Sequence, residues 1–162
     1  MKYRIVDNFL NPQDFSKIKN ILESPHFPWY YQKEINKHDS KDSLDCYFTH
    51  RLFDTMEGSS NFFNTLSPIL QKIKIKSLIR IKCNLYPKTE KLTIHKKHKD
   101  FDYKHKGALF YINTNNGGTI LNDNTKIDSV ENRMLFFEPN ILHSSTSTTN
   151  QKARININFN YF

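Results

Sequence analysis

The chain has 162 residues and a formal net charge of +8. Apolar residues make up 37% and aromatic residues 14% of the sequence, a composition that indicates a folded chain and excludes a disordered one. A chain of this length most economically buries one core, so we predict a single domain over residues 1–162. No stretch approaches the roughly 18 continuous apolar residues of a membrane span, so we expect no membrane partner.

The cysteines and the first residues indicate the compartment. Cys46 and Cys83 are isolated and form no CxxC pair, which is typical of a reducing compartment and unsuited to a cysteine-held zinc ion. Residues 1–4 lead directly into a strand-like segment without the apolar core of a signal peptide. We therefore expect a soluble cytoplasmic protein in which any metal is held by histidine and carboxylate.

The positive charge is compatible with an anionic partner such as nucleic acid. The lysines are scattered, however, and Lys, Asn and Ile are abundant together, as in proteins from genomes rich in A and T. Nucleic acid is therefore the less favoured partner. The lysine-rich loop 95–106 would be its contact surface.

The first elements in chain order are helical. Asn11 is a suitable cap, Pro12 suits the first helical position and an apolar stripe follows, so we predict an amphipathic helix over residues 12–23. An aromatic stretch (27–34) and a polar loop (35–43) come next. The loop would be a lid if it closed over a site, but only its polarity supports that role.

The aromatic residues 29–31 are either a wall of a substrate cleft or, as we favour, a packing anchor. A second helical region is predicted between Phe62 and Ile73, with an interruption or restart at Ser67-Pro68.

From residue 78 onward the hydrophobic period falls to two, which predicts β-strands. Residues 78–86 alternate between an apolar face and a polar one; the polar face carries Arg80, Lys82, Asn84 and Tyr86. Residues 107–114 are a further strand, which the turn signal at 115–118 is predicted to fold onto residues 119–121 as a hairpin.

Three more strands follow, within 125–130, 133–139 and 153–162, separated by turns rich in Asn and Asp. Two helical regions followed by an uninterrupted set of short antiparallel strands predict a mainly β fold with flanking helices. A double-stranded β-helix, the jelly roll of cupin-like proteins, is the expected closure.

Candidate metal ligands lie between these strands. His98 and Asp100 are one residue apart in an extended segment, so both side chains point to one side and can reach one ion. His143 follows the strand within 133–139 and offers a third ligand. Two histidines and one carboxylate leave one face of an iron centre open for cosubstrate and O₂.

Arg154 lies on the last strand, on the face that carries Asn156 and Asn158, while the alternate residues face an apolar layer. A guanidinium inside a barrel requires an anionic partner, because an unpaired buried charge is strongly disfavoured. A cosubstrate carboxylate would supply that partner with bidentate geometry.

Over residues 78–162 the chain resembles the 2-oxoglutarate/Fe(II)-dependent dioxygenases, especially the small prolyl-4-hydroxylase-like members, including those carried by marine viruses. The matching motifs are HKD at 98–100, LH ending at His143, and KARININFNY with Arg154; RIKCNLYPKT and FYINTNNGGT are also similar to strands of that group. The aromatic stretch at 27–31 matches more loosely.

The resemblance implies that His98, Asp100 and His143 bind Fe(II), and that Arg154 pairs with the distal carboxylate of 2-oxoglutarate, helped by the Tyr86 hydroxyl. Asn84 and Asn156 are further candidate cosubstrate contacts, although a structural hydrogen bond explains each equally well. The implied reaction consumes O₂ and 2-oxoglutarate, releases succinate and CO₂, and hydroxylates an unactivated C–H bond; ascorbate is a candidate accessory reductant.

By the same resemblance, peptidyl proline is the leading substrate, in a peptide or protein. Nucleic-acid oxygenases of this class usually carry a second arginine six residues after the cosubstrate arginine, and position 160 is Asn160, which disfavours them. A small-molecule oxygenase and a non-catalytic basic jelly-roll module stay open as alternatives.

Other residues near the motif have ordinary interpretations. His95 and His98 are an alternative metal pair by spacing, but the resemblance selects the histidine of HKD, so we interpret His95 as a flanking residue. We interpret Asp102 as a less favoured substitute carboxylate and His105 as loop polarity. Cys83 faces away from Tyr86 and is expected to belong to the core.

Overall fold

The computed structural model describes residues 3–35 and 46–162. It confirms a mainly β fold with flanking helices. The helices are α1 (Pro12–Leu22), a 3₁₀ helix (Phe63–Leu66) and α2 (Ser67–Lys72). The strands are β1 (Arg4–Val6), β2 (Tyr30–Gln32), β3 (Tyr47–Asp54), β4 (Gly58–Ser59), β5 (Leu78–Pro87), β6 (Lys106–Tyr111), β7 (Gly118–Ile120), β8 (Lys126–Asp128), β9 (Arg133–Phe137), β10 (Ser144–Ser145) and β11 (Ala153–Tyr161).

The strands form two sheets. The larger has the order β1-β9-β6-β11-β5-β3-β2, with β4 added beside β3, and the smaller has the order β10-β7-β8. Residues 93–98 run antiparallel to residues 143–147 and widen the smaller sheet, through backbone hydrogen bonds such as His95 N to Ser145 O at 2.9 Å. The two sheets pack face to face as the predicted jelly roll.

The larger sheet is covered on its outer face by the helices. Alternate residues of β5 and β11 pack there with α1, the 3₁₀ helix and α2 in one apolar cluster; the strand residues are Ile81, Cys83, Ile155, Ile157, Phe159 and Tyr161. A second, smaller apolar cluster joins the two sheets; it consists of Leu109, Tyr111, Leu121, Ile127, Leu135 and Phe137. The inner face of β5 and β11 is therefore free to carry polar side chains.

The helix predictions are confirmed. Asn11 caps α1, because its Oδ1 accepts a hydrogen bond from the Asp14 backbone N–H at 2.9 Å. The second helical region restarts at Ser67-Pro68, as a 3₁₀ helix followed by α2. Proline lacks the N–H that an interior helical residue donates, so it suits a first turn.

The predicted hairpin between 107–114 and 119–121 is wrong. β6 pairs with β9 and β11 in the larger sheet, whereas β7 pairs with β8 and β10 in the smaller one. A two-residue hairpin turn of this kind needs positive φ, and neither Asn116 nor Gly117 has it. The segment instead carries the chain from one sheet to the other.

Gly117 is needed there for space. A Cβ at this position would overlap the Ser147 carbonyl oxygen and lie 2.9 Å from Cδ of Arg154. The absence of a side chain thus lets the crossover approach the interior arginine closely.

The strands β2, β3 and β4 fall between the helical regions, where none was predicted. Strand β3 does not alternate cleanly, because both Thr49 and His50 are buried and its register with β5 shifts between Arg51 and Phe53. Of the aromatic residues before it, Trp29 packs against the core, whereas Tyr30 and Tyr31 are 58% and 56% exposed. The predicted loop 35–43 lies outside the described residues apart from Ile35.

Candidate functional site

The inner face of the β5–β11 pair carries an uninterrupted row of polar residues. In the antiparallel register Arg154 lies opposite Tyr86 and Asn156 opposite Asn84; Asn158 and Asn160 follow opposite Lys82 and Arg80. The alternation of each strand sends these side chains toward the smaller sheet, as the sequence predicts.

His98, Asp100 and His143 meet at the open end of this row. One ligand atom from each lies within 4.8 Å of the others, and His98 Nε2 is 3.9 Å from Asp100 Oδ1. The two histidines face each other across a two-way backbone bridge, with both N–H···O distances at 2.9 Å, and their ring centroids are 4.6 Å apart. The extra pairing of 93–98 with 143–147 therefore positions both rings.

Hydrogen bonds direct the same nitrogen of each histidine inward. His143 Nδ1 lies 2.9 Å from the Ile141 carbonyl, and because a carbonyl only accepts, Nδ1 carries a proton and Nε2 is the nitrogen that can bind a metal. His98 has the same arrangement with the Lys96 carbonyl, at 3.5 Å. Two imidazole nitrogens and one carboxylate form a donor set that suits non-haem Fe(II).

The electrostatics favour the metal-ready protonation states. Burial, followed by the nearby His143, lowers the pKa of His98 to about 4. Burial acts to raise the pKa of Asp100, but His143, Arg80 and His98 outweigh it and lower this pKa to about 2. At neutral pH, His98 is neutral and Asp100 is a carboxylate.

These shifts predict how the stability of the metal-free protein depends on pH. His98 binds a proton more readily in the unfolded chain than in the folded one. Its contribution to the free energy of unfolding is therefore complete above pH 6.5 and is lost as the pH falls from 6.5 toward 4. Asp100 adds a loss of the same sign below pH 3.8. Urea unfolding of wild type and His98→Ala should show a shallower pH dependence in the variant between pH 6.5 and 4. Parallel curves would contradict the assignment.

Asp100 is held by groups on the larger sheet. Its Oδ2 accepts from Asn158 Nδ2 at 3.0 Å, and Oδ1 lies 3.5 Å from the Arg80 guanidinium. Asp102, the substitute carboxylate considered above, is 99% exposed and pairs with Lys99 instead. Asp100 is thus the acidic residue that the structure brings to the two histidines.

A relay of amides continues from Asp100 to His105. Asn160 Nδ2 donates to Asn158 Oδ1 at 2.7 Å, and Asn160 Oδ1 lies 2.7 Å from His105 Nε2. Because a carboxylate only accepts, the direction of the two bonds between the amides and Asp100 is fixed. His105 Nδ1 lies 2.9 Å from the Tyr103 carbonyl, so the ring is held at both nitrogens. His105 is 5% exposed, so its interpretation as loop polarity is wrong.

Arg154 lies at the closed end of the row and is fully buried. Its two terminal nitrogens donate to the neutral oxygens Thr146 O at 3.4 Å and Thr119 Oγ1 at 3.3 Å, and the hydroxyls of Tyr86 and Tyr111 adjoin the guanidinium. Its Nε has no partner among the described residues. Its guanidinium carbon lies 5.2 Å from the Tyr86 ring centroid and 5.8 Å from that of Tyr111. Within residues 3–35 and 46–162, no carboxylate forms an ion pair with it.

A narrow cavity of about 30 Å³ lies between Arg154 and the histidines. Its walls include both metal-ligand candidates on the smaller sheet and all four predicted cosubstrate contacts; the lining residues are Asn84, Tyr86, His98, Leu109, Thr119, His143, Ser144, Ser145, Arg154, Asn156 and Asn158. Asn84 Nδ2 donates to Asn156 Oδ1 at 3.0 Å, so these amides also bond each other.

Thr119, which lines this cavity, and Tyr111 and His95, which contact residues of its lining, are among the residues that the sequence did not predict here. Tyr111 donates to Thr119 Oγ1 at 2.8 Å, which places both beside the guanidinium. His95 is buried, contacts Ser145 Oγ at 2.8 Å and stacks on Tyr86 at 5.3 Å. The period-two pattern of β6 could have indicated Tyr111, but His95 carries no local signal beyond its lysine-rich loop.

Comparison with solved structures agrees with this architecture. A prolyl hydroxylase from Trichoplax adhaerens, in complex with a hypoxia inducible factor oxygen degradation domain peptide fragment, is 16% identical, with a TM-score of 0.63 over 99% of this chain and 83% of that chain. An oxidoreductase of the 2OG-Fe(II) oxygenase family from Burkholderia pseudomallei is 10% identical, with a TM-score of 0.69 over 98% and 84%. This chain has the fold of the 2-oxoglutarate/Fe(II) oxygenases.

The same fold also occurs with another chemistry. The non-haem alpha ketoglutarate dependent epimerase SnoN from nogalamycin biosynthesis is 13% identical, with a TM-score of 0.64 over 99% of this chain and 77% of that chain. No protein-family model matches the sequence, and no curated protein is significantly similar to it. No helix in the described part of the chain is long and apolar enough to cross a bilayer.

Proposed function

We propose that this chain is an Fe(II)- and 2-oxoglutarate-dependent dioxygenase that hydroxylates an unactivated C–H bond. His98, Asp100 and His143 would bind the iron, and Arg154 would bind the distal carboxylate of 2-oxoglutarate. The observation that carries the proposal is a buried guanidinium with no counter-charge among the described residues, across one cavity from a His-Asp-His cluster. A metal site with a purely structural role would have no use for such an arginine.

The donors around Arg154 fit a carboxylate. Among the described residues its Nε lacks a partner, its terminal nitrogens make long contacts to Thr146 O and Thr119 Oγ1, and the Tyr86 hydroxyl adjoins it. Burial raises the pKa of Tyr86 despite the opposing charge of Arg154, so the phenol stays protonated and can donate. The cavity volume of about 30 Å³ is smaller than the volume of 2-oxoglutarate, a five-carbon diacid, so the cavity walls must move when the cosubstrate enters.

The bound iron and 2-oxoglutarate would supply the O₂ chemistry, which yields succinate, CO₂ and the hydroxylated product. The chain's own residues would bind, orient and exclude water. Asn158 and Arg80 hold Asp100 in place, and the rings of Tyr86 and Tyr111 keep water from the guanidinium. Asn84 and Asn156 are proposed further contacts of the cosubstrate.

Peptidyl proline is the first substrate to test, because one protein with this fold is a prolyl hydroxylase in complex with a peptide fragment. The epimerase with the same fold keeps a small-molecule substrate open. Nucleic acid is less favoured, because Asn160 stands where a second arginine is expected and its side chain is engaged by Asn158 and His105. Ascorbate is proposed as an accessory reductant, and we propose a soluble cytoplasmic protein.

The test is the stepwise anaerobic addition of Fe(II) and then 2-oxoglutarate to the purified protein. A visible charge-transfer band should form only after both additions in the wild type, and should not form in His98→Ala. Circular dichroism and a thermal melt establish that the variant is folded. A folded wild-type protein that gives no band would overturn the proposal.

A further inference from the structure

An open groove leads to the candidate metal ligands. A cavity of about 540 Å³ borders His98 and Asp100, and a second of about 590 Å³ extends away past β3. The two meet at Tyr47, Arg80 and Lys82, which line both. A substrate that reaches the metal ligands through this groove must therefore pass these three side chains.

Three cations are concentrated on the floor of the groove. Lys82 of β5 lies directly opposite Arg51 of β3 in the sheet register, and Arg80 follows on the same face of β5. Like charges placed opposite each other destabilise a sheet. The arrangement is costly unless anions neutralise it.

Two of the three cations have an anionic partner. Arg51 forms an ion pair with Glu57, and Arg80 lies 3.5 Å from Asp100. Lys82 forms no ion pair with any carboxylate in residues 3–35 and 46–162; its Nζ lies 3.5 Å from the Tyr47 hydroxyl and 5.5 Å from the centroid of that ring. Lys82 is thus a recessed cation that still requires an anion.

The cost of charging Lys82 is visible in its pKa. Burial, with Arg80 adding repulsion, lowers the pKa of Lys82 to about 8, although Asp100 opposes the shift. The side chain is nonetheless mostly charged at neutral pH. An anion bound beside it would remove the repulsion and restore a higher pKa.

We propose that the substrate carries a carboxylate, which binds to the Lys82 ammonium and the Tyr47 hydroxyl while the reacting C–H bond lies at the metal. This inference rests on the proposed function. The carboxylate would belong either to a free acid or to an acidic residue of a peptide. Both sources would place the same chemical group in the groove.

The depth of Lys82 selects this chemistry over nucleic acid. An oxygenase that acts on a base takes the neutral base into its pocket and leaves the phosphates at the rim. Here the cation lies inside, beside the candidate metal ligands. One ammonium and one hydroxyl also match a singly charged carboxylate better than a phosphate monoester, which carries nearly two charges and three strong acceptor oxygens.

The test uses protein loaded with Zn(II), which is redox-inert, and saturating 2-oxoglutarate, which keeps Arg154 occupied. Calorimetry first measures 2-oxoglutarate binding itself. The probes are then N-acetylglutamate against N-acetylglutamine, and N-acetyl-Gly-Glu-Pro-Gly-amide against its Gln counterpart. A short oligothymidylate is the competing class. The proteins are wild type, Lys82→Gln and the control Lys97→Gln, which alters a lysine of the same groove whose Nζ donates to Asn124 Oδ1 at 3.3 Å.

In the wild type at least one acid should bind about tenfold more tightly than its amide, as expected for a charge-assisted hydrogen bond. Lys82→Gln should lose that preference, and Lys97→Gln should keep it. The pair that shows the preference identifies a free acid or a peptide as the source. In the wild type, the ¹⁵N resonance of the Lys82 ammonium should also shift with the acid and not with the amide, which tests the contact without a variant.

The inference is overturned if no acid binds, if acid and amide bind equally, or if the preference survives in Lys82→Gln. It is also overturned if oligothymidylate binds more tightly than every acid and both variants weaken it equally. Absence of 2-oxoglutarate binding at the first step would instead overturn the proposed function. The two failures are therefore distinguishable.

Discussion

His143→Ala and Asp100→Asn are each expected to lower the affinity for Fe(II) by more than about a hundredfold, because even the loss of an outer-shell partner of a metal ligand costs tenfold to a hundredfold. Either change removes one of three ligand atoms that lie within 4.8 Å of one another. Succinate formation from 2-oxoglutarate should fall to background in both variants. Metal titration under anaerobic conditions and a succinate assay provide the measurements.

The matched control for these variants is His26→Ala. His26 lies on an exposed turn after α1 and should leave metal affinity and succinate formation unchanged. Asp100→Asn preserves the shape of the side chain, so Asn158 can still donate to it and the fold should be retained. Normal metal affinity in folded Asp100→Asn would show that the carboxylate is not a ligand.

The inner and outer faces of β5 and β11 could be predicted from the sequence. Their residues alternate strictly because one face packs on helices and the other faces a polar interior, so the period of two survives in the sequence. That alternation placed Arg154 on the same face as Asn156 and opposite in character to Ile155. The candidate metal ligands could be found because His98 and Asp100 belong to a short motif.

The parts that could not be predicted depend on contacts between distant residues. His95 and His105 lie in one lysine-rich segment and look alike, yet His95 is buried against Tyr86 and His105 against Asn160. Their burial follows from pairing with strands some 50 residues later in the chain, which no local pattern encodes. The crossover at Gly117 was mistaken for a hairpin for the same reason, since a turn signal does not specify the partner strand.

The two faces of the larger sheet also have different roles, because one stabilises the fold and the other carries the candidate site. The outer face buries apolar side chains against the helices, whereas the inner face holds charged groups that weaken the fold. Lys82 and Arg154 are the strongest cases, because each is a recessed cation that has no carboxylate partner in the described residues. Such groups are expected where a ligand supplies the missing charge.

Arg154→Met is therefore expected to stabilise the protein while it abolishes 2-oxoglutarate binding. Methionine has a similar length and no charge, so it removes a buried unpaired guanidinium. Without ligands, the free energy of unfolding should rise by about 1 kcal/mol or more, since replacing buried charges by apolar side chains is often stabilising by that amount. That gain corresponds to a rise in Tm of roughly 3 °C for a chain of this size.

The stabilisation by 2-oxoglutarate should instead be larger in the wild type than in Arg154→Met. With Zn(II) present, 2-oxoglutarate at a hundred times its Kd should stabilise the wild type by about 2.7 kcal/mol. It should leave the Tm of Arg154→Met almost unchanged, because the charged contact to the distal carboxylate is lost. Differential scanning calorimetry of both proteins, with and without 2-oxoglutarate, measures both effects.

Arg133→Met is the matched control for the arginine itself. Arg133 is paired with Asp7, with Nε to Oδ1 at 2.6 Å and a second contact of 3.0 Å, so its removal should lower the Tm and leave the response to 2-oxoglutarate intact. If Arg154→Met is instead destabilised as Arg133→Met is, the guanidinium of Arg154 already has a partner within the protein. In that case Arg154 would not be the group that binds the cosubstrate carboxylate.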